Sequence, residues 1–516
     1  MRSFRMNFGQ AHVRLVQVGA ALAAAVLVAG CGNNYRPTVT TITSTGPAAQ
    51  PASYAVVVSA PSPAVAGIAT IIDYSGDTVM AEASIGTGPT TLALDSLGSA
   101  GYTINSDGTI STFPVSRTLQ DNQVSVTTLL SKAQPLNLFM SLGGLWAADL
   151  YGNVADAFGG SPETFLRSIP LAPTPVLIVG LGGIGQRDFG ISQGNSQGGN
   201  ISSPVQCNVS PTTGPIGEAA AIETSTDTVS SQIPLGKCPV YAVESGDAQR
   251  LLVLNRGSDT VSVINAQYGT LNSCNSFVDS HTGRTVSCHP TLPLSQAALN
   301  ATNAPTNCNF TSDPTCSLPA DGGLIAKAGP VYAEYNAAMN LLVVADYDGG
   351  TISIIDVSLD EYGNDSPNFG TTYTVPVGTN PASVTVLYDG SRAYTANQAD
   401  QTVSIVNLSS HTFLKALPVT GHPRTVASTQ NSSYGKVYVA SPDSNVLTII
   451  RTDEDIVDAT QPVVGNIVDV RVSTQNAVSG NSNTVSRRPG YGQPCNLPPS
   501  ELADSSLTIE ACQKQP

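Results

Sequence analysis

The chain has 516 residues, with 22 Lys and Arg against 37 Asp and Glu, and its formal net charge is −15. This charge argues against a nucleic-acid partner, because phosphate backbones need clustered Lys and Arg. Only 11% of the residues are charged, against about 25% in an average domain, which excludes a fold of long Glu- and Lys-rich surface helices. Beyond the N-terminal segment no run of about twenty apolar residues occurs, so we do not expect a polytopic membrane protein.

Residues 1–30 have the pattern of an export signal. A basic start, with Arg2, Arg5 and Arg14, precedes an apolar stretch at 15–27 that is too short to cross a bilayer comfortably. The stretch ends in Val-Ala-Gly-Cys, which resembles the lipobox of bacterial lipoproteins. The resemblance implies cleavage before Cys31 and acylation of that residue, and hence a protein that contacts the membrane through a lipid anchor. An ordinary signal peptide with a chance Cys is the alternative.

The residue after the lipobox bears on which membrane holds the anchor. Gly32 stands where a signal for retention in the inner membrane would carry Asp. By the same resemblance we expect the outer membrane of a bacterial cell envelope, with the protein facing the periplasm or the exterior. Cys31 and the Thr-, Pro- and Ala-rich residues that follow, up to 52, form a flexible tether, which reaches at most about 70 Å when fully extended.

Cysteine usage agrees with export. Removing Cys31 from the nine cysteines leaves an even number, as is typical of an oxidising compartment. We expect sequential pairing, because each pair then brackets one polar, loop-like segment: Cys207–Cys238, Cys274–Cys288, Cys308–Cys316 and Cys495–Cys512. Metal ligation is the alternative. The sequence has no C-x-x-C pair and no paired His, so we expect no metal site.

An internal repeat decides the fold class. Four stretches share an apolar run, a short turn of Asn, Asp, Gly or Ser, and a second, alternating run, which is a hairpin signature. They are RLLVLNRGSDTVSVIN from 250, NLLVVADYDGGTISIID from 340, RAYTANQADQTVSIVN from 392 and GKVYVASPDSNVLTII from 435. A third strand follows each hairpin and ends in a G-x-x-P-like step, after which a fourth strand begins.

This step marks the repeat length. It recurs at Pro89, Pro135, Pro175, Pro239, Pro330, Pro381, Pro423 and in Gly465-Asn466. The shortest spacing, 40 residues between Pro135 and Pro175, suits one four-stranded blade of a β-propeller. Two longer gaps contain insertions, at 186–215 and 271–322. We place the first between the second and third strands of its blade and the second between the third and fourth strands, hence on opposite faces of the propeller.

The repeats resemble the YVTN family of bacterial β-propellers. The resemblance covers most of the chain from 53 to 474 and implies an all-β propeller. The family's tetrapeptide appears only as the variants YTAN at 394–397 and YVAS at 438–441. WD40 repeats are the rival propeller, but the single Trp146, without a following Asp, disfavours them.

The two ends of the repeat region complement each other. Residues 53–88 contain three strands of a blade without its inner strand, and residues 466–474 form an inner strand without a blade. We therefore predict a single propeller over 53–474, closed by pairing of the N- and C-terminal strands, because an open ring would expose two apolar faces. Eight blades are favoured; seven is the alternative if the weak region from Pro135 to Pro239 forms only one. Residues 475–516 read as a polar tail.

Two catalytic motif matches lack the context that they need. The match to G-x-G-x-x-G at 180–185 leads into a Gly- and Ser-rich run instead of the helix that a dinucleotide site requires. The matches to G-x-S-x-G at 190–194 and 194–198 lack the flanking strand and helix of a nucleophile elbow. We expect neither a bound cofactor nor a catalytic serine here.

The remaining polar groups are read as structural. Asp346 and Asp348 could offer carboxylates to calcium, but they fall where sister repeats have a hairpin turn, and turn chemistry explains them. Residues 453–455 and Asp458 are expected to form a solvated loop. The histidines outside the signal are scattered, without metal-site spacing: His281, His289, His411 and His422.

These observations leave two hypotheses for function and a weaker third. The first is a surface-tethered, monomeric propeller that serves as a non-catalytic binding or structural module for an envelope protein or a glycan. The second is a lactonase-like hydrolase acting at the channel mouth, which rests on fold analogy alone. A quinone-cofactor dehydrogenase would need stacked Trp residues, and the single Trp146 counts against it.

Overall fold

The computed structural model describes residues 54–95, 97–141, 144–180, 187–194, 215–245, 249–280, 282–301, 327–430 and 435–473. These residues form eight antiparallel blades, each a four-stranded meander, arranged as one propeller. The all-β, eight-bladed prediction is thus confirmed. The region from Pro135 to Pro239, where seven blades had been the alternative, contributes two complete blades.

We number the blades from the one that contains both the first and the last described strands, and we list the strands of each blade from the innermost outward. Blade 1 comprises β35 (Asn466–Val472), β1 (Tyr54–Ala60), β2 (Ala66–Asp73) and β3 (Thr78–Thr87). Blade 2 comprises β4 (Ala93–Leu94), β5 (Ala100–Asn105), β6 (Thr109–Pro114) and β7 (Ser125–Thr128). Blade 3 comprises β8 (Pro135–Ser141), β9 (Gly144–Asp149), β10 (Val154–Gly159) and β11 (Thr164–Pro170), and blade 4 comprises β12 (Pro175–Gly180), β13 (Arg187–Ser192), β14 (Ile216–Glu223) and β15 (Thr228–Lys237).

Blade 5 comprises β16 (Pro239–Glu244), β17 (Arg250–Asn255), β18 (Thr260–Asn265) and, as two pieces of its fourth strand, β19 (Thr270–Leu271) and β22 (Thr291–Pro293). Blade 6 comprises β23 (Pro330–Asn336), β24 (Leu341–Asp346), β25 (Thr351–Asp356) and β26 (Thr372–Pro376). Blade 7 comprises β27 (Pro381–Val386), β28 (Arg392–Asn397), β29 (Thr402–Asn407) and β30 (Thr412–Pro418), and blade 8 comprises β31 (Thr425–Ser428), β32 (Lys436–Ala440), β33 (Val446–Arg451) and β34 (Ile456–Pro462). A separate hairpin is formed by β20 (Phe277–Val278) and β21 (Thr285–Val286). The only helices among the described residues are a 3₁₀ turn (Asp121–Gln123) and α1 (Gln296–Ala301).

Blade 1 closes the ring as predicted. β35 pairs antiparallel with β1 from Ala55 opposite Val472 to Ala60 opposite Asn466. At the end of this pairing, the Tyr54 backbone N donates to Ser473 Oγ at 2.8 Å and the Ser473 backbone N donates to the Tyr54 carbonyl at 2.8 Å. The chain therefore enters and leaves the propeller at one point.

The Gly of the step is required by an Asn of the next blade. Asn255 and Asn397 end second strands, and their side-chain amides donate to Thr and Ser hydroxyls on the third strand of the same blade. A Cβ placed on Gly236 or Gly378 would lie 2.6 Å from the Asn Cγ atom, which is closer than any side chain tolerates. The Asn–Thr–Ser set and the step glycine therefore form one structural unit of the repeat.

The apolar core lies between neighbouring blades, since both faces of each inner strand are buried. The fourth strands form the outer rim, and in blades 1, 3, 4, 7 and 8 each carries a bulge. Such bulges disfavour pairing of an exposed edge with another chain.

Strand direction defines two faces, which we name for what lies on them. The step face carries the connections from each fourth strand to the next blade and the turns between second and third strands. The turn face carries the turns between first and second and between third and fourth strands. The chain enters at Tyr54 and leaves at Ser473 on the turn face.

The structure shortens the first insertion, which does join the second and third strands of its blade, and corrects the placement of the second. Residues 187–192, assigned to the first insertion, form the strand β13, so the connection runs only from 193 to 215. The second insertion does not simply join third and fourth strands. It interrupts the short fourth strand, because Val263 bonds both Asn272 and Pro290 across the break, and it resumes after Pro293, on the way to blade 6. The parts at 193–215 and 294–329 therefore both leave from the step face, and the prediction of opposite faces is wrong.

Candidate functional site

The step face over blades 4 to 6 is the part of the propeller where the repeat departs most from its own pattern. Both long connections are anchored there by hydrogen bonds to the blades. Gln193 Nε2 donates to the carbonyl of Pro239 at 3.1 Å, and the Gly194 backbone N donates to the carbonyl of Pro173 at 3.1 Å. The ends of each connection are thus fixed to the scaffold.

The second connection is anchored at Asp259, in the second–third turn of blade 5. The Asp259 carbonyl accepts from the Leu294 backbone N at 2.8 Å, just before α1, and Asp259 Oδ1 accepts from the Gly329 backbone N at 2.8 Å. One turn therefore holds both the start and the return of this connection.

A cluster of charged and aromatic groups lies beside these anchors. Asp348 pairs with Arg256 at 3.2 Å and with Lys327 at 2.8 Å. The Arg256 guanidinium lies over the Tyr347 ring, 5.3 Å from its centroid. Burial acts to raise the pKa of Asp348, but Arg256 and Lys327 outweigh it and hold that pKa below its usual value. Asp348 is therefore ionised near neutral pH, and the side chain of Lys327 is exposed to solvent.

A second polar set lines the inner strands. Glu334 Oε2 in blade 6 accepts from Thr385 Oγ1 at 3.1 Å and from the Val386 backbone N at 3.0 Å in blade 7. Thr385 Oγ1 in turn bonds Ser428 Oγ in blade 8 at 3.0 Å. These bonds satisfy the exposed edge of the inner strands, so we read them as a tie between blades.

A buried charge group follows in the closing blade. Arg471 and Asp469 of β35 are fully buried, with 3.6 Å between Arg471 Nε and Asp469 Oδ2. Arg424 of blade 8 donates from Nη2 to the carbonyl of Val468 at 2.8 Å. Burial lowers the pKa of Arg424 to about 10, against the opposing effect of Asp469. These groups join blade 8 to blade 1 next to the chain ends.

The histidines have structural partners. His422 Nδ1 contacts Asp443 Oδ2 at 2.6 Å, and its Nε2 contacts Gln401 Nε2 at 3.1 Å. His411 stacks on Tyr373, with ring centroids 3.6 Å apart, and burial lowers its pKa. His281 lies outside the described residues. In the described part of the chain, His, Cys, Asp and Glu nowhere gather in a group of three that could hold a metal ion.

The catalytic motif matches are resolved only in part. Gly180 ends β12, and the strand β13 begins at Arg187, where a dinucleotide site would need a helix; residues 181–186 lie outside the described residues. Ser192 of the first G-x-S-x-G match lies within β13 instead of at a strand-to-helix turn. The second match, apart from Gly194, lies outside the described residues.

The acidic segments lie at turns, as expected, with two corrections in blade 8. Asp346 ends β24, and Asp348 lies in the second–third turn of blade 6 that follows it. Asp458 lies in the strand β34 and not in a solvated loop. Residues 453–455 lie in the third–fourth turn of blade 8, where Arg451 bonds Asp453. Asp455, however, is buried instead of solvated, because it accepts from Tyr394 Oη at 2.5 Å and pairs with Arg392 at 2.7 Å.

Asp455 belongs to a recurrent contact between blades that the sequence analysis missed. In blade 8 the same second-strand positions hold Lys436 and Tyr438, and both reach Asp77 in the third–fourth turn of blade 1. The Lys436 Nζ–Asp77 Oδ2 distance is 2.6 Å. The signal was a basic residue followed two positions later by Tyr, in R-A-Y and K-V-Y. Its partner could not be read, because the Asp comes from the next blade.

Asp365 is the centre of another missed set, which ties blade 6 to the hairpin that interrupts blade 5. Its carboxylate accepts from Arg250 Nη2 at 3.2 Å, Asn272 Nδ2 at 2.8 Å and the His289 backbone N at 3.0 Å. The hairpin also contains a disulfide between Cys274 and Cys288.

Apart from Cys274 and Cys288, the described residues include one further cysteine, Cys238, which is disulfide-bonded. The predicted lipidation site, Cys31, and the remaining cysteines lie outside the described residues: Cys207, Cys308, Cys316, Cys495 and Cys512. No helix among the described residues is long and apolar enough to cross a membrane.

The fold and these contacts define the class of the protein as an eight-bladed β-propeller. No protein-family model matches the chain, and no curated protein matches it. Among solved structures, apo AztD from Citrobacter koseri is similar, with a TM-score of 0.53 and 12% identity over 81% of this chain and 97% of that chain. NirN, a dihydro-heme d1 dehydrogenase in complex with DHE, is similar with a TM-score of 0.52 and 12% identity over 84% of this chain and 78% of that chain. At these identities the likeness concerns the fold alone.

Proposed function

We propose that this chain is a lipid-anchored protein of the bacterial cell envelope, built from YVTN-type repeats, whose propeller binds a partner through its step face. The observation that carries the proposal is the polarity of the molecule. The chain enters on the turn face at Tyr54, whereas both long connections leave from the step face. An anchor at Cys31 would therefore leave the two connections on the opposite side of the scaffold from the tether.

The anchors of the connections support binding over neutral drift. Long loops that carry function are held at their ends by a rigid scaffold. Here Asp259 fixes both ends of the second connection, and Gln193 fixes the start of the first. The Arg256–Asp348–Lys327 cluster includes a residue of the second connection, Lys327, and provides polar contacts of both signs for an envelope protein or a glycan.

The anchor is tested by Cys31→Ser. We expect this variant to move from the membrane fraction to the soluble fraction, and its mature form to lack the mass of the acyl groups. Retention in the membrane fraction would contradict the lipid anchor. Fractionation of the unaltered protein on a sucrose gradient then tests the outer over the inner membrane.

The binding role is tested with a photo-crosslinking residue at Ile216, an exposed position on the step face beside the first connection. We expect a specific adduct from intact cells that disappears when 195–214 and 302–326 are replaced by short Gly-Ser linkers. The first deletion removes Cys207, the predicted partner of the disulfide-bonded Cys238, so thermal unfolding is compared with that of the Cys207→Ser, Cys238→Ser variant. Because both deletions lie between anchored ends, the midpoint should stay within a few degrees of that variant. The matched control places the crosslinker at Tyr268 on the turn face. An adduct that survives both deletions, or the same adduct from Tyr268, would contradict binding through the step face.

A further inference from the structure

The turn face carries exposed apolar groups at the tips of its turns. Leu97 and Tyr268 are the two most exposed large apolar side chains of the described residues, at 75% and 74%, and Tyr388 and Tyr362 follow on the same face at 58% and 46%. They belong to four blades: 2, 5, 7 and 6. On the step face the most exposed is Ile216, at 60%.

These tips are held rigidly. The Gly98 backbone N donates to the Asp95 carbonyl at 2.9 Å beside Leu97, and the Gly269 backbone N donates to the Asn265 carbonyl at 2.9 Å beside Tyr268. The Tyr388 backbone N donates to the Gln430 carbonyl of blade 8 at 2.7 Å. The backbone at these three tips is therefore held in place by hydrogen bonds, and the side chains that it carries are exposed.

The same face carries exposed carboxylates in its turns: Asp121, Glu361 and Asp389. Asp453 and Glu454 also lie there, but both pair with Arg451. Tyrosine, with an apolar ring and a polar hydroxyl, is favoured at the headgroup level of a bilayer. Carboxylates are repelled by the negative surface potential of anionic lipids. Exposed apolar side chains surrounded by carboxylates therefore favour contact with a bilayer whose headgroups carry no net charge, since the apolar groups insert and the carboxylates are not repelled.

We propose that the turn face rests on a zwitterionic phospholipid surface, with Leu97, Tyr268, Tyr362 and Tyr388 inserted at the headgroup level. This inference rests on the proposed lipid anchor, because the chain enters the propeller on this face. A tether of 22 residues between Cys31 and Tyr54 keeps the propeller close to the bilayer, and the high local concentration makes weak contacts of a few side chains effective.

The orientation is tested without acylation. The full chain with Cys31→Ser and a histidine tag inserted after Gly32 is held on vesicles of phosphatidylethanolamine and phosphatidylcholine with a nickel-chelating lipid. A fluorophore is attached at Tyr268→Cys or at Ile216→Cys, and brominated lipids serve as quenchers. We expect quenching several-fold stronger at 268 than at 216. Equal quenching, or stronger quenching at 216, would overturn the proposal.

This design separates the two proposals, because the tag replaces the acyl chains. Failure of Cys31 lipidation in cells leaves the vesicle result unaffected, and failure of quenching leaves the lipid anchor standing. Partial replacement of the lipids by phosphatidylglycerol should weaken the quenching at low salt and restore it at high salt. Stronger quenching on phosphatidylglycerol would contradict the choice of a zwitterionic surface.

A second measurement uses the same tagged chain with the fluorophore at Tyr268→Cys. We expect Leu97→Ser with Tyr388→Ser to lower the quenching several-fold, through the loss of buried apolar area. The matched pair Ile216→Ser with Val464→Ser, on the step face, should change the quenching by less than about twofold. Thermal unfolding of both pairs checks that the propeller is intact. Equal losses for the two pairs would overturn the proposal.

Discussion

At the scale of single residues, the repeat is informative where one blade departs from its sisters. Blades 5 and 7 end their second strand with Asn, whereas blade 6 has Asp346. Asp346 Oδ2 accepts from Thr351 Oγ1 at 3.1 Å and from Ser353 Oγ at 2.6 Å. Burial raises the pKa of Asp346 to about 7, against the effect of these two hydroxyls. The native fold therefore retains a proton that the unfolded chain releases near pH 4.

The first prediction follows from this proton. Between about pH 4 and pH 7 the native state binds more protons than the unfolded state, so stability falls by about 1.4 kcal/mol per pH unit from this group and levels off above. We expect Asp346→Asn to raise stability at pH 8 by up to about 4 kcal/mol and to flatten this slope. Denaturant unfolding at pH 5 and pH 8 measures both effects.

The matched control is Asn397→Asp in blade 7, which should introduce the slope that Asp346→Asn removes. A slope that is the same in the unaltered protein and in both variants would refute the assignment. Blade 3 carries the same theme, because Asp149 and Asp156 replace Asn and Ser there, and burial raises the pKa of Asp156 to about 6.

A second prediction concerns the ion pair between blades 8 and 1. Lys436 and Asp77 are both buried, and Lys436 Nζ also donates to the carbonyl of Tyr74 at 2.7 Å. Removing one partner leaves the other charge uncompensated, so we expect Lys436→Met to cost about 3–5 kcal/mol. Adding Asp77→Asn should recover much of this loss, because it removes the uncompensated charge and keeps a residue that tolerates the positive φ of 54° at this position.

Chemical denaturation of the two single variants and of the double variant measures the coupling. Equal losses in the single and double variants would show that packing at Lys436, and not its charge, is what blade 1 requires. Arg392→Met in blade 7 is a useful comparison, since Arg392 pairs with Asp455 in the same way but away from the chain ends.

At the scale of secondary-structure elements, β35 has the largest role for its length. Its residues pair with β1 while its neighbours along the chain belong to blade 8, so it holds two distant segments together. Without it, the apolar faces of β1 and of the neighbouring inner strands are exposed to water.

The third prediction is that deletion of Asn466–Val472 abolishes cooperative unfolding of the whole propeller. Circular dichroism and tryptophan fluorescence are the measurements, because the single Trp146 lies in blade 3, far along the chain from the deletion. A sharp transition of Trp146 fluorescence at the original midpoint would show that the ring tolerates an open blade.

How far the sequence predicts these elements depends on how strongly each one repeats. The step Pro and the Asn-containing turn are short-range patterns, and they locate inner strands even in the weak blades 3 and 4. The fourth strand of blade 5 was missed because only Thr270–Leu271 and Thr291–Pro293 pair with β18. Strand segments of two and three residues are too short to show an alternation of apolar and polar residues. The sequence analysis therefore placed the whole insertion between the third and fourth strands, although part of it follows the fourth strand.

The site could be predicted less well than the fold. Asp455, Asp77 and Asp365 each accept hydrogen bonds from another blade, and those partners are 61 or more residues away in sequence. Asp455 looked like part of an acidic, solvated turn because a turn sequence does not reveal which blade it packs against. Only the packing of blade 7 against blade 8 places the Arg–Tyr pair beside it.

At the scale of the whole molecule, the proposals depend on one asymmetry. The turn face has the chain ends, the exposed carboxylates and the apolar tips. The step face has the two long connections and the ion cluster of Arg256, Lys327 and Asp348. A propeller with an anchor on one face and its two long connections on the other can present those connections in a fixed direction.

The bond between Tyr54 and Ser473 has a consequence for this direction. Because the two residues are adjacent, a short peptide could fuse them and turn β35 and β1 into an ordinary hairpin, while new termini are opened between 195 and 214. Such a circular permutant should fold, with blade 4 as the new seam, and its unfolding midpoint measures how well. An acyl anchor on its new N-terminus would now grow out of the step face. If the proposed anchor is correct, the permutant would face the membrane with its step face instead of its turn face, although every side chain of the propeller is unchanged.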